Sequence, residues 1–415
     1  MNAFVPNADV PAKSSAPKLS NPDVLIVGGG PAGMMAGLLF ARAGLAVRVL
    51  EKHHDFLHDF RGDTVHPATM ELLGQLGMLD RFLARPHQRL SRAELRIGGR
   101  ELTVGDLSQV RSRTSFVAMM PQWEFLDFLR QEAGRFDGFT LNMGQGIDSY
   151  IEEDGRIAGV RLTSGEIVRA RLVIAADGRH SFVRRHGLLP LKQLGSPIDV
   201  FWFSLPKRTT EEGVLRIAVD LGRILVRVDR GSYWQCALVF PKGRAQALRA
   251  MGIGALQAEI ETVEPRLGSI RDDLCDVDDL HLLEVTLDRL TSWSRPGLLA
   301  IGDAAHAMSP MGGIGINLAI QDAAAAANVL AAAMMRSEDP DPLLAKVQRR
   351  RSGSTKLVQF VQQIAQSWML GSVLRRRRAL KRPPWPLLVL AAVPALRRIP
   401  GRAIALGIRQ ERIAA

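Results

Sequence analysis

Two tyrosines and two cysteines are all that 415 residues contain of those types. Cys236 and Cys275 are too few for a disulfide framework or a thiolate metal cluster, and such scarcity suits a reducing cytoplasm. Long hydrophobic runs are also missing: none reaches the roughly 18 residues of a membrane-spanning segment. The acids Asp272, Asp273, Asp276, Asp278 and Asp279 lack calcium-loop spacing and read as a solvated connection. His53, His54 and His58 find no firm further ligand, so no metal site is expected. Residues 1–22 carry no basic-then-apolar signal pattern and read as a disordered leader.

The net charge of +12 suggests nucleic acid only until it is located. Eleven Lys and Arg against the single acid Glu411 give residues 371–415 a net +10, leaving about +2 for the rest. No nucleic-acid-binding module or interleaved aromatic pattern accompanies that charge, so nucleic acid is not expected as a partner. Within the tail, the apolar run Leu387 to Leu396 lies between two basic clusters, with Trp385 nearby. Two readings stay open: a packed C-terminal helix pair, or a segment lying on anionic lipid at the inner face of a membrane.

What is present is organised around residues 23–51. Val24 to Val27 form a short apolar run, Gly28, Gly30 and Gly33 follow in G-x-G-x-x-G spacing, and a helix-forming run begins at once. A second apolar run, Val47 to Leu50, ends in Glu51. This is a βαβ unit that binds a dinucleotide: the glycines let backbone approach a pyrophosphate, and the acid accepts ribose hydroxyls. An amphipathic helix is expected over Pro67 to Phe82, a strand over Phe116 to Met120, and a helix over Trp123 to Ala133 with Gln122 at its start. Asp154-Gly155 and Ser164-Gly165 punctuate a hairpin before the buried strand that ends at Asp177. Between 190 and 290 the pattern turns to aromatic-rich strands, a second lobe in which Trp202, Phe203, Tyr233 and Trp234 are either core or pocket lining. The chain then returns through Leu298 to Ile301, Gly302-Asp303, a glycine-rich turn at 312–315 and an Ala-rich helix to about Met335.

Three polar signatures thus end three buried strands: Gly28-Gly-Gly30-Pro-Ala-Gly33 with Glu51, Asp177-Gly178-Arg179-His180-Ser181 with Arg184, and Gly302-Asp303-Ala304-Ala305-His306. Together they resemble the single-component flavoprotein aromatic hydroxylases, the family of p-hydroxybenzoate hydroxylase and the ubiquinone-pathway hydroxylases. The resemblance runs from about Asp23 to about Met335. It implies a Rossmann-like α/β FAD-binding domain in two parts (23–189 and 291–370), an antiparallel-sheet substrate domain (190–290) and a helical C-terminal tail (371–415). By the same resemblance Gly28, Gly30, Gly33, Glu51, Arg61, Gln122, Asp177, Asp303, Gly315 and Asn317 contact FAD, and Pro310 and Gly313 flank the reactive flavin edge. NADPH or NADH would reduce the flavin, and O₂ would form a C4a-hydroperoxide that hydroxylates a small hydrophobic, aromatic or quinone-like substrate. His306 reads as a structural histidine, and the resemblance assigns no tyrosine to substrate deprotonation. A reductase of isoprenoid double bonds shares the first and third motifs, and a flavin-binding protein without turnover is the other alternative. The absence of a W-x-W-x-I-P segment disfavours halogenation.

Overall fold

The computed structural model describes residues 21–57, 63–108, 110, 112–208, 213–220, 222–374, 383, 385–393, 402, 405–407 and 409–414. Arg61, His58 and nearly all of the expected leader lie outside the described residues.

Val24–Val27 is buried on both faces, as a central parallel strand of an α/β sheet must be. It lies within a six-stranded sheet ordered Ser294–Arg295, Leu298–Ala300, Leu172–Ala175, Val24–Val27, Val47–Leu50, Phe139–Asn142. All pairings are parallel except the outermost, Ser294–Arg295 with Leu298–Ala300. The helix Pro31–Arg42 packs on this sheet through small residues: a Cβ on Gly37 would stand 2.8 Å from the Phe139 ring. Across it lie the helices Gln122–Ala133 and Gly315–Met335. The stretch Met311–Met335 is long and apolar enough by composition to cross a membrane, yet 72% of its most apolar window is buried inside the protein. It is a core helix.

The single helix expected over 67–82 is in fact two, Pro67–Gln75 and Leu79–Leu83. Gly77 adopts φ +70°, its N–H meets Gly74 O and the Met78 N–H meets Leu73 O, the paired bonds of a glycine C-cap. Leu72 and Leu73 still point inward. At Asp154 and Gly155 two successive positive φ values close the predicted hairpin, Ile147–Glu153 with Arg156–Leu162.

The second lobe is a seven-stranded sheet ordered His281–Leu283, Ile198–Pro206, Tyr233–Pro241, Arg223–Asp229, Val214–Asp220, Arg92–Ile97, Arg100–Asp106. Its last two strands come from the stretch assigned by sequence to the first lobe. Arg92–Ile97 joins by parallel pairing with Val214–Asp220, so this sheet is mixed, not purely antiparallel. The difference is physical: the pair spans more than a hundred residues, and no local pattern announces it. Period-two alternation sorts the faces. Phe201, Phe203 and Leu205 pack with Trp234 under the helix Ile253–Val263, while Val200 and Trp202 face the opposite cluster with Val239 and Ile224. Phe203 and Trp234 are therefore core, Trp202 is half-buried, and Tyr233 is exposed at the sheet end.

The described part of the basic tail folds back on the body. Leu387, Leu388 and Ala391 of the helix Trp385–Ala392 pack against the sheet cluster, Ala405 is fully buried, and Glu411 is buried against Arg350 and Arg351.

Candidate active site

The three signatures meet at the carboxyl ends of adjacent strands. Gly28 stands at φ +107°, and a Cβ on it would lie 2.5 Å from the Ala176 carbonyl oxygen, so the first and second turns are in direct contact. A Cβ on Gly33 would lie 1.9 Å from Gly28 O, which is how closely the helix start packs on the strand end. Gly30 is the N-cap of Pro31–Arg42, with no side-chain cap and open space where its own Cβ would be. Its first-turn N–H groups are thus available to a phosphate. Glu51 is buried at the end of Val47–Leu50, accepting from Gly29 N (2.8 Å) and His53 N (2.9 Å).

The third signature closes on the same place. Gly302 has φ +60°, and a Cβ there would lie 2.9 Å from Ala32 Cβ and 3.2 Å from Ala319 Cβ. Arg184 donates to Asp303 O (2.8 Å) and pairs with Asp288, while Arg179 reaches Asp303 Oδ2 at 3.5 Å. The arginines of the second motif therefore clamp the third. Asp177 accepts from Phe182 N (2.8 Å), which caps the short helix Phe182–Arg185. Its other oxygen is buried without a hydrogen-bond partner among the described residues, and burial pushes its carboxyl above the usual range, partly offset by the neighbouring Ser181 hydroxyl and the Phe182 N–H.

Beyond lies the glycine-rich turn. Pro310 caps the single turn Met311–Gly313, in which Gly312 (φ +81°) and Gly313 (φ +61°) take conformations that disfavour any side chain. Thr64 Oγ1 donates to Gly313 O (2.9 Å) from one side. Gln362 grips the turn from the other, accepting from Ser309 N (3.2 Å) and donating to Ser309 O and Met311 O (both 3.1 Å). Gly315 opens the helix Gly315–Met335, again without a side-chain cap, on the Asp303 side. Asn317 is buried two residues further, with Oδ1 accepting from Thr69 Oγ1 (3.0 Å). Gln122 is buried as the first residue of its helix, preceded by the N-cap Pro121.

Sequence reasoning passed over the supports of this site. His306 Nε2 is 2.5 Å from Asp322 Oδ2, Arg351 Nε donates to Asp322 Oδ1 (2.9 Å), and Gly302 N donates to the same carboxylate (3.2 Å). His306 is thus a buried, hydrogen-bonded partner, as its sequence reading held. Burial works to raise the Asp322 carboxyl, but His306 and Arg351 hold it below its usual value. Asp322 gave one legible signal, a carboxylate inside an Ala-rich helix, whereas Arg351 and Gln362 do not stand out in a helix rich in polar residues. The tyrosines resolve as well. Tyr150 is held far above its ordinary pKa by burial and by the Asp177 charge, so it stays a neutral phenol, and Tyr233 lies exposed on the far lobe.

A family model described as an FAD binding domain matches residues 21–361. The chain is 32% identical over 383 residues to 6-methylpretetramide 4-monooxygenase of Streptomyces rimosus, covering 91% of this chain and 90% of that protein. It is 27% identical over 370 residues to 3-demethoxyubiquinol 3-hydroxylase of Escherichia coli, covering 81% and 87%. The chain belongs to this family of FAD-dependent monooxygenases. Among solved structures, P. aeruginosa PqsL in complex with 2-aminobenzoylacetate superposes with a TM-score of 0.74 at 23% identity, over 86% of this chain and 98% of that one. At that identity the likeness concerns the fold.

The residues present fit an FAD. Open space at Gly30 and uncapped helix starts at Pro31 and Gly315 lie at the shared strand ends, and a carboxylate oxygen of Asp177, at the end of its strand, has no partner among the described residues. As a member of the family, the protein is an FAD enzyme of the oxidoreductase class.

Proposed function

We propose that this enzyme hydroxylates an aromatic or quinone-like small molecule, with NADH or NADPH supplying two electrons and O₂ supplying the oxygen. One oxygen atom enters the substrate and the other leaves as water. Bound FAD supplies the electron transfer and oxygen activation that no side chain can perform. The observation that carries the reading is the contact of Gly28 with Ala176 and of Gly302 with Ala32, which makes one extended site of three motifs.

The chain's own residues bind and orient. In this reading Gly28, Gly30 and Gly33 admit the pyrophosphate, Glu51 accepts ribose hydroxyls, and Asp303 takes hydroxyls of the linking chain. Gln122, Asp177, Gly315 and Asn317 complete the cofactor contacts, and the N–H groups at Gly315 favour negative charge on the flavin pyrimidine ring. Pro310 and Gly313 leave backbone alone beside the reacting ring edge, and shape that edge without contributing a proton. Support for an apolar substrate comes from the seam beside this turn. Thr64 pairs with Met119, and Met119 belongs to a buried cluster with Leu107, Val110, Val117 and Val228. A dry seam of this kind favours reaction over solvent leakage.

Asp303→Ala should yield largely colourless protein, read from flavin absorbance per mole of polypeptide; stoichiometric FAD in that variant would contradict the assignment. The chemistry is tested by screening phenols, quinone precursors and polycyclic aromatics for stimulated NAD(P)H oxidation, with O₂ uptake and product mass measured together. Turnover without O₂ uptake would mark a reductase, and a yellow protein never reduced by either nicotinamide would mark a binding protein.

A further inference from the structure

The apolar cluster beside the glycine turn is assembled from stretches far apart in the chain. Val117 and Met119 come from the short strand that pairs with Thr64, and Val228 comes from the sheet lobe. Leu107 and Val110 lie on the connection that leads from that sheet to that strand. The remaining buried member is Ala405, fully enclosed, with Leu406 packed against the same cluster. The chain's end therefore supplies one side of a seam whose other sides come from the two lobes.

What holds that end in place is drawn along one stripe of the helix Gly315–Met335. Asn317, Gln321 and Asn328 stand at i, i+4 and i+11, which the helical period brings to one face. A Cβ on Gly407, at φ +70°, would lie 4.0 Å from Asn317 Nδ2. Glu411 N donates to Gln321 Oε1 (2.5 Å), and Asn328 donates to Arg412 O (2.7 Å) and accepts from Ala414 N (2.9 Å). Arg351 adds a bond to Arg409 O (3.1 Å), and Gln75 accepts from Ile413 N (2.8 Å). Apart from Asp322, the rest of this helix is glycine, alanine and larger apolar residues, so its amide stripe serves the chain end. Asn317 is also a residue that the proposed function sets against the flavin. We propose that residues 405–407 form the outer wall of the substrate seam, and that Ala405 and Leu406 determine the width of ring system it admits. The wall is a methyl, an isobutyl group and bare backbone, so it selects by shape and offers no side-chain hydrogen bond. The ring ligand rests on the hydroxylase reading; the place of the wall rests on the contacts of the chain end alone.

The test titrates the full-length, FAD-loaded protein with phenol, 1-naphthol and 9-phenanthrol, reading binding from the perturbed flavin absorbance. Ala405→Ile should weaken 9-phenanthrol relative to phenol by about tenfold or more, and Leu406→Ala should move the ratio the other way, with FAD retained in both. A role in packing alone would lower stability and leave that ratio where it is in wild type, which would overturn the proposal. A second reading needs no ring compound. Gln321→Ala/Asn328→Ala cuts ties of the chain end outside the seam, and should raise iodide quenching of the bound flavin's fluorescence by about twofold or more. Quenching equal to wild type would show that the chain end does not cover the site, and would overturn the proposal as well. Raised quenching in a protein whose flavin responds to none of the three rings would support the wall and count against the aromatic substrate instead.

Discussion

Among the described glycines, Gly33 leaves very little room for a single methyl group. Its Cβ would fall 1.9 Å from a backbone oxygen that cannot rotate away, so helix and strand must part at the phosphate turn. Gly33→Ala should reduce FAD retained through purification by about tenfold or more, measured as the flavin-to-protein absorbance ratio. Asp322 makes the opposite kind of demand, for a charge. A carboxyl held below its unfolded value contributes stability above the ordinary carboxylate range, and that contribution is lost as pH falls through the folded value. Asp322→Asn removes it and leaves the Arg351 guanidinium buried with its main partner gone. We expect a loss of about 3–5 kcal/mol in urea unfolding near neutral pH. The gap to wild type should narrow in acid, because wild type then forfeits the same contribution.

Among the elements, the helix Asp341–Trp368 explains how a glycine turn with almost no side chains keeps one shape. The turn is held through its backbone by the Gln362 amide and the Thr64 hydroxyl, with the Ser309 hydroxyl accepting from Met311 N (3.4 Å). Gln362→Ala leaves buried backbone groups unsatisfied, worth about 1–3 kcal/mol. None of the three strand-end motifs is touched by that change. The variant should therefore retain FAD but waste reducing equivalents, with O₂ uptake rising relative to hydroxylated product. Equal coupling in variant and wild type would mean the turn is shaped by its glycines alone.

The whole molecule is tied across its lobes at places distant in sequence. Arg92–Ile97 leaves the first lobe to pair with Val214–Asp220, Arg230 of the sheet lobe pairs with Asp63 of the other, and the chain's end returns to the helix bundle. There Glu411 pairs with Arg350 (2.6 Å) and approaches Arg351 (3.8 Å), while Asn328 and Gln75 bond the backbone of residues 412–414. The one acid of the basic tail is thus its anchor. Glu411→Gln should cost about 3 kcal/mol in unfolding and expose the C-terminal residues to carboxypeptidase, with mass spectrometry reading the truncation.

Much of this architecture is written locally. Apolar runs at Val24–Val27 and Leu172–Ala175 must be buried strands, and Gly33 is demanded by a backbone oxygen only five residues back, so both are legible without the fold. The Ala176 carbonyl that crowds Gly28 arrives instead from the end of a distant strand. The identity of three turns that end strands with an acid was readable for the same reason. Other features depend on residues that the chain brings together from afar. The strands at 92–106 needed an edge to join, more than a hundred residues further along the chain. The inward face of Asp341–Trp368 could be polar only because backbone groups of the Ser309–Met311 turn were waiting there. Hydrogen-bond partners and sheet edges are properties of the assembled core, and a linear pattern of side chains does not contain them.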